Sequence, residues 1–300
     1  MKTPKIAIIG GYGRMGAWFA RYFKNKGYSV VLNARNREKL VAAAEALGVN
    51  YAETIEDAVK NADFVLVSVP ISSTSKVITE LAPHVDRKTV VFEIASVKGE
   101  IPETLEKQSS KYGFKAVSVH PMFGPGAANL KGHTVLIVPI NGSEEAADRL
   151  MRIFRDDGAK VISTDSQTHD RMVATVLALP HFLNILFGRI LLEIPDTLPK
   201  IREFSGTTFA LQLLLTECVF GEDPELYSEI QMGNKEFLEF LDKIEKMFHE
   251  LKNAITKKEK VEFSKTFEIV REKLKQDTEY LSLIHISEPT RLGMSSYAVF

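Results

Sequence analysis

Up to about residue 165 the chain alternates short, β-branched apolar runs with longer amphipathic stretches. The runs are Ile6-Ala7-Ile8-Ile9, Val30-Val31-Leu32, Phe64-Val65-Leu66-Val67, Val90-Val91-Phe92, Val117-Ser118-Val119 and Val135-Leu136-Ile137-Val138. Strands that stay apolar at successive positions have no face on water, and helical crossovers between them predict a mainly parallel sheet covered on both sides. Beyond Asp165 the period changes. From Thr168 to Tyr280 no strand pattern occurs, and apolar residues recur at spacings of three and four, as in Phe237-Leu238, Leu241, Ile244, Met247-Phe248 and Leu251. The predicted fold is therefore α/β: a Rossmann-type, mainly parallel sheet over residues 1–165, then an all-helical domain over residues 166–281. A helix predicted to begin near His169 is apolar around most of its circumference, interrupted by Arg171, His181, Asn184 and Arg189. That pattern predicts burial in a bundle or a subunit interface, hence a homodimer. Residues 282–300 lose the pattern and read as a non-native tail, left out of the fold reasoning.

Composition narrows the partners more than the fold. The 300 residues are 45% hydrophobic, enough for a substantial core. With 38 basic and 39 acidic residues the formal charge is -1, so no global field draws the chain to nucleic acid or to an anionic membrane. Cys218 is the single cysteine, which excludes an internal disulfide framework and a cysteine-based metal cluster, and no metal site is expected. The apolar run after Met1-Lys2-Thr3-Pro4-Lys5 is too short for a signal-peptide core, and no segment holds the ~20 uninterrupted apolar residues of a membrane span. A cytoplasmic protein is expected.

Local anion recognition is expected at the first strand. Ile6-Ala7-Ile8-Ile9 empties into Gly11-x-Gly13-x-x-Gly16, and a helix follows through Ala17, Phe19, Ala20 and Phe23. In that context Gly11 suits a tight turn, Gly13 a close approach of backbone amides to a pyrophosphate, and Gly16 close helix–strand packing. Gly11, Tyr12, Gly13, Arg14, Met15 and Gly16 are thus the candidate dinucleotide loop. The second run ends Asn33-Ala34-Arg35-Asn36-Arg37. No carboxylate stands where a ribose 2′-hydroxyl would be accepted, and Arg35 and Arg37 follow, which favours NADP over NAD. The third run ends at Val69-Pro70, and Ile71-Ser72-Ser73-Thr74 is read as a loop beside the nicotinamide half. Two more runs end at Ser96-Val97-Lys98-Gly99 and at His120, on the sheet edge where open α/β folds bind ligands. Ser96, Lys98 and His120 are expected to converge there, with His120 as an acid/base group. His169 and His181 lie twelve apart on the helical stretch that follows.

The glycine turn, Ala95-Ser96-Val97-Lys98, His120-Pro121-Met122-Phe123-Gly124-Pro125, His169-Asp170, Ala178-Leu179-Pro180-His181-Phe182 and Phe220-Gly221-Glu222-Asp223-Pro224-Glu225-Leu226-Tyr227 occur in that order. From Lys5 to about Tyr280 the chain resembles the prephenate dehydrogenases of tyrosine biosynthesis. The resemblance implies NAD(P)-dependent oxidative decarboxylation of prephenate to 4-hydroxyphenylpyruvate and a helical dimerisation domain. By the same resemblance His120 is the hydrogen-bonding base to the ring hydroxyl, Ser96 orients that hydroxyl, Lys98 either neutralises a substrate carboxylate or rigidifies its loop, and His169 and His181 contact substrate. One position departs from the family. The arginine that holds the substrate side-chain carboxylate in many members is replaced near Phe209 or Ala210, so Arg202, Arg189 or a residue of the partner subunit is expected to stand in. Arogenate is the alternative substrate. Another two-domain NADP reductase, F420-dependent or of pyrroline-carboxylate type, shares the Asn33-Ala34-Arg35 ending but not the His120 motif. A non-catalytic dinucleotide sensor has no use for Ser96 and His120 together.

Overall fold

The computed structural model describes residues 3–276. The tail reading of residues 282–300 lies outside the described residues, as do the last residues of the expected helical domain. Contacts divide the chain into two compact units. Among the described residues, the first runs to Ala178 and resumes over Asp223–Lys235; the second comprises Leu179–Glu222 and residues 236–276.

In the first unit the strands are β1 (Lys5–Ile9), β2 (Ser29–Asn33), β3 (Asn50–Tyr51), β4 (Phe64–Val67), β5 (Val90–Glu93), β6 (Lys115–Pro121), β7 (Thr134–Pro139) and β8 (Lys160–Ser163). Together they form one eight-stranded sheet in the order β3-β2-β1-β4-β5-β6-β7-β8. All neighbours pair in parallel except β6 with β7, where His120 lies opposite Leu136. The mainly parallel Rossmann-type sheet expected from the apolar runs is thus observed. β3 and β8 were not expected. Both are edge strands with mostly exposed side chains, so neither needs the continuous apolar run that marks an interior strand.

Helices α1 (Arg14–Asn25), α2 (Arg37–Leu47), α3 (Ile55–Val59), α4 (Ile71–Leu81), α5 (Ile101–Tyr112), α6 (Glu144–Asp156) and α7 (Ser166–Val173) belong to this unit. Two apolar layers sandwich the sheet: one gathers Ile8, Phe19, Phe23, Leu32, Phe64 and Phe92, the other Ala7, Val65, Ile78, Leu81, Val91 and Leu105. Ile71-Ser72-Ser73-Thr74 is the first turn of α4, not a loop. Pro70 starts that helix without a side-chain cap, and the Glu229 carboxylate accepts hydrogen bonds from the amides of Ile71 (2.8 Å) and Ser72 (3.1 Å) in its place. Glu229 sits on α11 (Pro224–Gly233), after α9 (Leu198–Glu203) and α10 (Thr207–Phe220) of the second unit.

The second unit also holds α8 (Leu179–Leu191), α12 (Lys235–Thr256) and α13 (Lys260–Leu274). α8 packs on α10 through a buried polar centre. The Asn184 carbonyl accepts from Gln212 (2.9 Å) and Thr216 (3.0 Å), and its amide donates to Pro180 O (2.8 Å), so both polar atoms of this residue in an apolar helix have partners. The absent side chain of Gly188 makes room for the Phe220 ring, which a Cβ there would meet at 2.3 Å. The run Ser166–Leu191 continues from α7 through a π-helical turn, Ala174–Ala178, into α8, and at 26 residues is long and apolar enough to cross a membrane by length and composition alone. Core helices of globular proteins pass that test too.

Candidate active site

The glycine turn is built by close approach between the ends of β1 and β4. Gly10 has φ +86°, and a Cβ there would lie 2.1 Å from Ser68 O. Within the tight turn expected at Gly11, the left-handed residue is Gly10, and a Cβ on Gly11 would stand 2.7 Å from the Leu32 side chain, so both positions need glycine. Gly16 behaves as expected: its Cβ would stand 2.5 Å from Gly10 O, so any side chain forces α1 away from the strand end. α1 begins with no side-chain cap and no acidic residue in its first turn. A helix N-terminus left bare behind a glycine cradle, at the crevice where strand order reverses between β1 and β4, fits a pyrophosphate.

At the end of β2 the Asn33 side chain is buried, and its amide donates to Ala52 O at 3.0 Å. Of the two arginines that follow, Arg37 opens α2 and pairs with Glu53 at 2.7 Å. Arg35 is exposed and has no side-chain partner among the described residues. Val69 and Pro70 lie between β4 and α4, at the same edge as the glycine turn.

The centre of the sheet edge is held by a buried charge cluster. Glu93 ends β5 and Lys98 follows it, both 0% exposed. Lys98 Nζ donates to Glu93 Oε1 (2.9 Å), Ala95 O (2.9 Å) and Val119 O (2.8 Å). Three acceptors need three N–H groups, so this lysine is an ammonium despite burial, which acts to lower its pKa. Glu93 is as fully used, accepting from the Ala95 amide (2.5 Å) and the Ser118 hydroxyl. The cluster ties the Ala95-Ser96-Val97-Lys98 loop to β6 one residue before His120.

His120, 3% exposed, bonds through Nδ1 to His169 Nε2 at 2.9 Å. His169 Nδ1 reaches Asp170 Oδ1 at 2.8 Å, and the Asp170 carboxylate also accepts the backbone amides of Lys98 and Gly99, each at 2.9 Å. Burial, then the Lys98 cation and His169, hold His120 well below its ordinary pKa, so it is neutral. Burial also lowers His169, against the raising effect of Asp170. Burial raises the Asp170 carboxyl, but the bonds from His169, Lys98 and Gly99 outweigh it and leave the group below its usual range. The loop after His120 is pinned to α1 by Trp18, whose indole donates to Ala127 O at 2.6 Å and packs on Phe123 at 4.9 Å.

Three expected substrate contacts take other places. The Lys98 ammonium has no donor left for a ligand and fixes the loop, the second of its two expected roles. His169 has both ring nitrogens engaged within the protein and faces His120. Arg202 is ion-paired with Glu217 inside the second unit. His181, also in the second unit, is half-buried, and burial lowers its pKa to about 4. Ser96 is partly exposed, with no side-chain hydrogen-bond partner among the described residues. Glu93 and Ser118 were not singled out by sequence reasoning, and Asp170 was noted only as part of the His169-Asp170 motif, without a role. A lone acid closing the apolar run Val90-Val91-Phe92 was the available signal, because a buried carboxylate demands a partner nearby.

Comparison with known proteins decides the family. Residues 19–163 match the family described as prephenate dehydrogenase, nucleotide-binding domain, and residues 165–269 match prephenate dehydrogenase, dimerization domain. The chain belongs to the prephenate dehydrogenase family. Within it, the chain is 34% identical over 262 residues to the "Probable arogenate/prephenate dehydrogenase" of Methanocaldococcus jannaschii, covering 87% of this chain and 58% of that protein. It is 29% identical over 269 residues to the T-protein of Haemophilus influenzae, covering 89% of this chain and 66% of that one. The prephenate dehydrogenase of Aquifex aeolicus, crystallised with hydroxyphenyl propionate and NAD+, shares the fold with a TM-score of 0.72 at 23% identity, over 91% of this chain and 99% of that one. The chain thus spans about three-fifths to two-thirds of the length of these two curated relatives, and prephenate dehydrogenase family domains match most of its sheet unit and its helical part.

Proposed function

We propose that the protein carries out oxidative decarboxylation of prephenate to 4-hydroxyphenylpyruvate with a nicotinamide dinucleotide. The observation that carries this reading is a neutral, buried His120 at the carboxyl edge of the sheet, next to the loop that bears Ser96 and within the same edge as an uncapped glycine cradle. Gly11, Tyr12, Gly13, Arg14, Met15 and Gly16 hold the pyrophosphate, Val69 and Pro70 border the nicotinamide half, and Arg35 is available to a 2′-phosphate, which favours NADP. When bound, the nicotinamide accepts the hydride from the ring carbon that carries the hydroxyl.

The chain's own part is acid/base and orienting. As the hydride departs, positive charge builds on the hydroxyl oxygen, and His120 takes its proton. The ring carboxylate leaves as carbon dioxide while its bonding electrons complete the aromatic ring. The Ser96 hydroxyl, uncommitted among the described residues, orients the reacting hydroxyl. A second reading, arogenate as substrate, is favoured by Phe209 and Ala210 standing where many relatives carry the carboxylate-binding arginine, and by Arg202 being paired to Glu217. The test is reduction of NADP and of NAD by purified protein with prephenate and with arogenate in parallel, beside His120→Asn. A fall in turnover of ~10²-fold or more is expected from that substitution. Near-full turnover in His120→Asn, or no reduction with either substrate, overturns the reading.

A further inference from the structure

We propose that His169 and Asp170 are positioning residues that lock His120 in the tautomer protonated on Nδ1, so that Nε2 is the nitrogen presented to the substrate proton. The inference rests on His120 acting as the base, and follows from counting donors and acceptors along one buried line. The Asp170 carboxylate receives two backbone N–H groups, from Lys98 and Gly99, at 2.9 Å each. It is an acceptor only, so the His169 nitrogen 2.8 Å away must carry hydrogen. A neutral His169 then has its lone pair on Nε2, which faces His120 Nδ1 at 2.9 Å. Two lone pairs at that distance repel, so His120 Nδ1 carries the proton and donates it. The lone pair of a neutral His120 is then on Nε2.

Burial makes the arrangement exclusive. His169 is 1% exposed and His120 3%, so water cannot supply the missing donor for the other tautomer. The reverse line, with a doubly protonated His169 donating to His120, puts a second cation beside the Lys98 ammonium in a desolvated pocket, and His120 would then hold its proton on the nitrogen meant to accept one. The anchor of the line is itself fixed: Asn234 donates its side-chain amide to Asp170 O at 2.9 Å and is fully buried. Because the same carboxylate binds the amides of Lys98 and Gly99, one group aligns the base and the loop that carries Ser96. His169 is thus moved from the substrate to the base it orients, as the aspartate of a serine-protease triad orients its histidine.

The test reads the tautomer directly. The full-length protein, labelled with ¹⁵N-histidine and examined without substrate, is expected to show His120 protonated on Nδ1. In His169→Phe, His120 should move to the Nε2-protonated form, and kcat should fall ~10–100-fold with the dinucleotide KM unchanged. His169→Gln keeps an acceptor oxygen toward His120, and should restore the Nδ1 tautomer and most of kcat. An Nε2-protonated His120 in the unsubstituted protein overturns the proposal without needing any variant to fold. So does a His169→Phe protein whose tautomer and kcat are unchanged. If His120→Asn retains its rate, the base reading fails, whereas the tautomer measured in the unsubstituted protein is unaffected; the two failures are therefore distinguishable.

Discussion

At the residue scale, Lys98 and Glu93 show how a charge survives in a dry interior: all three ammonium hydrogens and both carboxylate oxygens have partners. Removing one member leaves the other charged and alone, so Lys98→Met is expected to cost about 3–5 kcal/mol in urea unfolding, and the double change Glu93→Gln with Lys98→Met should recover part of that loss. The histidines set the acid behaviour. His120, His169 and His181 all have lowered pKa values in the folded chain. Above about pH 6.5 both folded and unfolded forms are neutral and these groups contribute nothing. As pH falls below that value the unfolded chain binds protons that the folded chain refuses, so stability is lost. For His181 the loss runs down to about pH 4, its folded value. Melting temperature should therefore drop between pH 7 and pH 5, and His181→Gln should flatten that dependence. For the reaction, the acid limb of kcat/KM should fall well below pH 6.5, because a base that stays neutral keeps its lone pair; an acid limb at the ordinary histidine value would contradict the buried, neutral His120.

At the element scale, the proposed cofactor site assigns the pyrophosphate to the β1–α1 turn and the choice of dinucleotide to the end of β2. Gly16→Ala would push a methyl group to 2.5 Å from Gly10 O, a backbone atom that cannot swing aside. Dinucleotide Kd by fluorescence titration is expected to rise at least ~10-fold while the fold is retained, since the strain is confined to the cradle that approaches the pyrophosphate. At the end of β2, Arg37 is paired with Glu53 and only Arg35 is uncommitted, so Arg35→Ser should raise the KM for NADP several-fold and leave that for NAD unchanged. Equal effects on both would remove the NADP preference. The motif spacing in the sequence marked this turn as a candidate dinucleotide loop, while the left-handed position falls on Gly10, one residue before Gly11. That detail depends on how near β4 passes, which no local pattern records.

At the scale of the whole molecule, the second unit exposes more apolar surface than a solitary chain would keep. Leu183, Leu186 and Ile190 form an exposed stripe on α8 at helical spacing, and Leu211, Leu214 and Leu215 do so on α10. The family's dimerization domain covers these residues. Light scattering at micromolar concentration is expected to give twice the chain mass, and Leu186→Glu with Leu215→Glu to give a monomer. A monomeric mass for the unsubstituted chain would leave this apolar surface without its expected cover.

Along the chain itself, the period of the apolar residues was enough to specify a parallel sheet followed by helices, because burial on both faces writes itself as continuous β-branched runs. Spacing alone likewise identified the glycine cradle, and the order of motifs the family. The edge strands β3 and β8 left no such mark, since their side chains meet water. Nor could spacing show that Lys98, His169 and Arg202 are already committed to protein partners. Glu93, Ser118, Lys98, His120, His169 and Asp170 come from β5, β6, α7 and the loop after β5, and only the folded sheet brings them within hydrogen-bonding distance. Hydrogen bonds between residues as far apart in sequence as Lys98 and Asp170 depend on the folded chain's path, and it is those bonds that hold the histidine at the strand end in one buried, fixed orientation, as the proposed base requires.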